Sequence, residues 1–279
     1  SIKPTDTNSF TSEFDTSGIT YSSDISGLTI GHSVNTGDVT IGSDTTIAGD
    51  INIYGKDITI NNKLEATNST ITLDASGNIT DGPSGYLEAT NLTLLDGAVT
   101  LDNNSNDIDN IAGTTLDSLT FNDTDGFTIG STIASISGIS STGNVILSAG
   151  ADETAGTSTG GDITLSGTPT ISSSSGSVKL YTGSISGSTG LTSLVGSGSG
   201  KFRYNSDETN TNFTTALGNT GTYAIYREQP SVSGTISEET ITYGDTNPNF
   251  TMSGGTGLVN GDSSSGFTIV GSSNSTAGK

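Results

Sequence analysis

Within residues 38–102 one short phrase recurs: Val39-Thr40-Ile41, Ile51-Asn52-Ile53, Ile58-Thr59-Ile60, Ile71-Thr72-Leu73, Leu92-Thr93-Leu94 and Val99-Thr100-Leu101. Successive side chains of a strand point to opposite faces, so each triplet buries its outer residues and turns the middle one to water. The phrases fall into two registers. Ile51, Ile71 and Leu92 recur at steps of 20 and 21 residues, and Ile58, Ile79, Val99 and Leu119 at steps of 21, 20 and 20. A repeat of this length with two or three tiny strands is too long for a hairpin and matches one circuit of a parallel β-helix. The expected fold is therefore all-β, a right-handed parallel β-helix with coils of about 18–21 residues. Those seven apolar residues are its core ladder. Thr40, Thr59, Thr72, Thr93, Thr100, Thr120, Thr128 and Thr164 are expected to face outward, those in one register stacking into hydroxyl files.

The apolar fraction of 29% is low for a globule, where about 45–50% is usual on a count that includes Gly. Counting the 39 Gly narrows the gap, and periodic placement of the apolar residues favours an ordered narrow coil, which needs few inward positions, over a disordered chain. With 8 basic and 29 acidic residues the net charge is −21, which supplies no footprint for nucleic acid or an anionic membrane. There is no Cys, hence no disulfide framework or thiolate metal site. No apolar run reaches the length of a spanning helix, and no period near 3.6 residues occurs. The chain opens on Ser1 without a charged-then-apolar leader, and is expected to be a mature or excised segment.

Residues 1–37 carry looser phrases such as Leu28-Thr29-Ile30 and are expected to form first coils or an amino-terminal cap. Residues 1–14, with Phe10 and Phe14, are the candidate cover for an otherwise open edge. The column is placed at 38–200, with room for roughly eight circuits to residue 195 and a length near 40 Å at about 4.8 Å per rung. Steps of 19, 18, 18 and 15 residues from Ile108 through Phe127, Val145, Ile163 and Val178 predict coils that shorten towards the end. Gly77-Asn78, Gly143-Asn144 and Gly161-Asp162 read as corners requiring positive φ. The insert at 149–160 lacks an apolar register and reads as a protruding corner loop.

Past residue 200 the vocabulary changes. Phe202, Arg203, Tyr204, Phe213, Tyr223, Tyr226 and Arg227 mark 201–230 as an aromatic cap and linker. From 231 to 279 Val232, Ile236, Ile241, Tyr243, Phe250, Met252, Leu258, Val259, Phe267 and Ile269 suggest antiparallel strands of a partial sandwich, since a complete one needs about 100 residues.

Ile241-Thr242-Tyr243-Gly244-Asp245-Thr246-Asn247-Pro248-Asn249-Phe250-Thr251, followed by Gly257-Leu258-Val259-Asn260-Gly261-Asp262, resembles the opening of the MBG module. This is a bacterial Ig-like repeat found in tandem on large surface proteins. The signature residues are Tyr243, Gly244, Asp245, Pro248, Phe250, Gly257, Leu258, Asn260, Gly261 and Asp262. The preceding column, with Gly143-Asn144-Val145-Ile146-Leu147-Ser148-Ala149-Gly150 and its aromatic end, is similar to the β-helix of filamentous-haemagglutinin-like exoproteins of the two-partner secretion pathway. The resemblance implies a secreted or surface-attached adhesin or matrix filament of a Gram-negative bacterium. Implied partners are other copies of the chain and a host, neighbouring-cell or matrix surface, with no nucleic acid and no membrane insertion.

Polysaccharide lyases and hydrolases also use β-helices. A lyase needs a strong base beside acidic calcium ligands, and both arginines follow the repeats; a hydrolase needs converging carboxylates. The pairs Asp107/Asp109 and Asp123/Asp125 sit in turn-like phrases that explain them without catalysis. No catalytic residue is assigned. Asp123-Thr124-Asp125-Gly126 opens like a calcium loop, but its twelfth position is Ala134 where a bidentate acid belongs. No cofactor is expected, with calcium at stacked corners kept open. His32 stands alone and reads as a solvated corner. The alternatives to an adhesive scaffold are a polysaccharide-binding or -degrading β-helix and, from the threonine files, an ice-binding solenoid.

Overall fold

The computed structural model describes residues 1–2, 9–22, 25–236 and 252–263. Among them the only helix is Leu191–Val195; the rest of the ordered backbone is strand, wound into a β-solenoid of about 10 turns. One wall is a sheet of ten parallel strands. In spatial order these are Phe14–Asp15, Val39–Ile41, Ile58–Ile60, Asn78–Asp81, Ala98–Leu101, Ser118–Asp123, Val145–Ala149, Ser177–Thr182, Gly221–Tyr226 and Phe202–Arg203.

A second ten-stranded sheet folds round a corner to give the other two walls. The strand Lys63–Ala75 pairs through Leu64 to Ala66 with Thr45–Ile47, and through Ile71 to Ala75 with Asp50–Gly55. Between those parts the register slips, and Asn68 adopts a φ of 51° there, the left-handed turn Asn tolerates well.

The aliphatic ladders stack rung on rung. Ile51 pairs with Ile71, Ile71 with Leu92 and Leu92 with Ile111. On the first wall Val39, Ile58, Ile79, Val99, Leu119, Val145 and Val178 follow one another in direct register. All are buried. Each triplet supplies too little apolar surface to fold alone, and stacking removes that surface from water while the backbone bonds run between coils.

The coils lengthen towards the carboxy-terminal end. From Val39 to Leu119 first-wall partners lie 19 to 21 residues apart; the next, Val145, Val178 and Thr222, follow at 26, 33 and 44. The expected shortening came from counting across walls: Val145 and Val178 stand on the first, Phe127 and Ile163 on the second sheet. The extra residues leave at corners without disturbing the rungs.

At the amino-terminal end Phe10 and Phe14 stack at 5.0 Å and pack on the core, and Ile2 bridges to Ile30. At the other end Leu191–Val195 buries Leu191 and Val195 where the next strand of the second sheet would lie. Residues 201–230 do more than cap. Gly221–Tyr226 inserts between Ser177–Thr182 and Phe202–Arg203, so the chain lays down the outer strand first and the inner one afterwards.

Two of the expected corners owe their glycines to crowding. Gly77 and Gly143 have negative φ, and a Cβ there would meet Asp57 Oδ1 at 2.3 Å and the Asp117 carbonyl at 2.6 Å. Gly161 combines both constraints, with φ 143° and the Asp125 carbonyl where a Cβ would fall. Downstream, the described part of 231–279 is one antiparallel pair, Ser233–Ile236 with Met252–Thr256, and the turn that follows.

Candidate functional site

Many acidic residues are used by the fold itself. Asp38 Oδ1 accepts from the Asp57 amide at 3.3 Å, Asp57 Oδ1 from Asn78 at 2.7 Å, Asp44 Oδ1 from Lys63 at 3.2 Å and Asp50 Oδ1 from Thr70 at 3.1 Å. Each carboxylate closes an amide of the following coil that no strand partner reaches. Buried polar side chains work the opposite way, towards the preceding coil. Asn106 Oδ1 accepts from Leu87, Asp123 Oδ2 from Ile108 and Thr182 Oγ1 from Ile163, at 2.9, 3.0 and 2.9 Å.

Asp123 is fully buried and accepts also from the Asp125 amide at 3.1 Å. Burial pushes its carboxyl up to about 8, against those two bonds and with the charges of Asp125 and Asp107 adding to the rise. This is a structural corner. Among the described residues no three His, Cys, Asp or Glu are grouped to hold a metal ion.

Glu65, Glu88 and Asp107 stand in direct register on the second sheet and line a groove with Asp109. Lys63 Nζ lies 2.7 Å from Glu65 and 3.6 Å from Glu88. Its hydrogen bond holds the Glu65 carboxyl below the usual range, while burial raises that of Asp107. The pair Asp107/Asp109 thus opens onto a groove partly neutralised by the chain's own ammonium.

The first wall carries the threonines in one unbroken file. Thr40, Thr59, Thr80, Thr100 and Thr120 pair rung by rung. Thr40 donates to Glu13 at 2.6 Å, and the other four hydroxyls have no protein partner among the described residues. Thr128 and Thr164 bond to each other at 2.8 Å on another wall. Thr72 and Thr93, expected outside, are buried. They alternate with the core residues Ile71, Leu73, Leu92 and Leu94 of their own strands, and are covered nonetheless. On the same sheet the loop 130–137 is held to the strand Asp107–Leu116, with Ser131 Oγ bonded to Asn110 Oδ1 at 3.0 Å and Ile133 buried.

The sequence places Arg227 in the cap but does not reveal what it holds. Its side chain is fully buried and its guanidinium donates to the carbonyls of Ala149, Thr159 and Gly161, while its own carbonyl accepts from the Gly156 amide. The insert at 149–160 is therefore wrapped around Arg227 instead of protruding. Asp207 fastens it again through the Ala155 amide at 2.9 Å. No periodic signal announces this contact; an isolated Arg after the repeats was the one available hint.

Of the ten signature residues, Tyr243, Gly244, Asp245, Pro248 and Phe250 lie outside the described residues. Gly257, Leu258, Asn260, Gly261 and Asp262 lie against the column's end. Asn260 Oδ1 accepts from Thr192 Oγ1 at 2.6 Å, its carbonyl accepts from the Gly198 amide at 2.9 Å, and Asp262 Oδ2 accepts from the Tyr204 hydroxyl at 2.6 Å. Tyr204 in turn stacks on Tyr226 at 5.8 Å. Between the two parts lies a cleft of about 690 Å³.

Comparison with protein-family models, curated proteins and solved structures finds no match. The geometry of column, threonine file and junction cleft thus carries the functional reading. Among the described residues no helix is long and apolar enough to cross a membrane.

Proposed function

We propose that this chain is an extracellular structural and adhesive element of a bacterial surface or matrix filament, holding a shape instead of running a reaction. The observation that carries this reading is the unbroken aliphatic column from Val39 to Val178, closed at both ends by the chain's own aromatic residues. Inter-coil backbone bonds along such a column resist unfolding, and loops and the downstream module remain to make contacts. The resemblance to filamentous-haemagglutinin-like exoproteins and to the MBG module supports a Gram-negative surface location.

In this reading copies join end to end by strand addition. The terminal first-wall strands, Phe14–Asp15 and Phe202–Arg203, are two residues long, a length that blunts edge pairing. The joining strand is supplied, in this reading, by the module at 231–279 and pairs with the amino-terminal coils of the next copy. Immunogold labelling of intact cells, with adherence of beads coated with the chain to cells and matrix, tests the proposal. Surface label and adherence above that of beads coated with unfolded chain are expected. Unlabelled cells and equal adherence would overturn it.

The threonine file supports a second reading, adsorption to ice, because four free hydroxyls repeat at one strand spacing. The file is single, flanked by Asn78, Ala98 and Ser118. Shaping of ice crystals by the chain, abolished in Thr80→Tyr, is its test.

A further inference from the structure

The junction between the column's end and the turn at 257–263 places uncommitted polar groups around one cleft. Asn205 and Gln229 present side-chain amides with no hydrogen-bond partner among the described residues. Asn212 spends its Nδ2 on the Asn205 carbonyl and keeps its Oδ1, and Asp262 spends Oδ2 on Tyr204 and keeps Oδ1. Val232 and Leu258 form an aliphatic side, and among the described residues no Lys or Arg lines the space.

Each amide offers both a donor and an acceptor, the pairing that vicinal hydroxyls of a sugar need. Aliphatic walls suit the C–H face of a pyranose. A volume of about 690 Å³ falls in the range of small-molecule sites, which favour the joints between structural units. The free carboxylate oxygen of Asp262 and a net charge of −21 repel sialylated or uronic ligands. The Tyr204–Asp262 bond holds the carboxylate in place as the ligand enters.

We propose that this cleft binds a neutral oligosaccharide. The inference names the ligand class for the adhesive reading and rests on that reading for its biological sense. The test is an array of neutral and acidic glycans probed with the chain 1–279, followed by calorimetry on a retained glycan. Val232 is 38% exposed, so Val232→Trp fills the cleft without entering the column, and its unchanged melting temperature serves as the folding control. Retention of neutral glycans is expected, with binding lost in Val232→Trp and weakened about tenfold in Gln229→Ala. Retention of acidic glycans alone, no retention, or equal binding by Val232→Trp would overturn the proposal. In the bead assay, equal adherence of parent and Val232→Trp removes this inference and leaves the adhesive reading standing. Val232-dependent glycan binding with no adherence does the reverse.

Discussion

The guanidinium of Arg227 donates through Nη2 to the carbonyl of Gly161 at 3.0 Å, across 66 residues of sequence. With its bonds to Ala149 and Thr159 it gathers the long insert onto the last coils. Arg227→Ala is expected to cost about 3 kcal/mol, the scale of losing hydrogen bonds to a buried charged donor. It also exposes 149–161 to protease. Arg227→Lys recovers little, because an ammonium cannot fork across three carbonyls. Denaturant unfolding with limited proteolysis measures both, and a variant as stable and as resistant as the parent would contradict the role given to Arg227.

Asp123 sets a pH dependence with an unusual sign. Its folded-state value of about 8 lies above that of an unfolded Asp, near 3.9. Between those values the native state holds the extra proton, so stability is greatest on the acid side and falls as pH rises through that window. Thermal melts from pH 5 to 8.5 should show the decline. Asp123→Asn, which keeps an acceptor for the Ile108 amide, should flatten it; an equally steep decline in the variant would assign the effect elsewhere.

Truncations on the two sides of the first wall separate column from surface. Ile79 is buried between Ile58 and Val99, whereas Thr100 lies on the outward file. Ile79→Ala should lose about 2–5 kcal/mol, and Thr100→Ala about 0.5 kcal/mol or less. Comparable losses at both positions in urea titrations would mean that the wall is not one-sided.

Chelator should leave the melting temperature unchanged. The corner carboxylates of Asp38, Asp44, Asp50 and Asp57 accept backbone amides, and Lys63 sits between Glu65 and Glu88. A calorimetric scan with and without EDTA checks this. A clear fall in melting temperature would restore a calcium-dependent corner.

The column was legible in the amino-acid sequence because its two governing rules are local and repeated. Alternation along a strand decides which residue of Ile58-Thr59-Ile60 faces inward, and a constant step of about 20 residues decides what stacks above it. At Thr72 and Thr93, both buried, alternation sets the direction of the side chain but says nothing of what lies beyond it.

Contacts without a period had to come from the tertiary structure. The burial of Arg227, the insertion of Gly221–Tyr226 beside a strand laid down earlier, and the seating of Asn260 and Asp262 on Thr192 and Tyr204 each join single positions far apart in the chain. Gly77 is such a case within the repeat, kept small by the Asp57 carboxylate of the coil below. Periodic apolar spacing records only what every coil shares, namely the burial of its aliphatic residues. Ends, inserts and junctions occur once, and their geometry follows from which surfaces are left to meet when the coils have stacked.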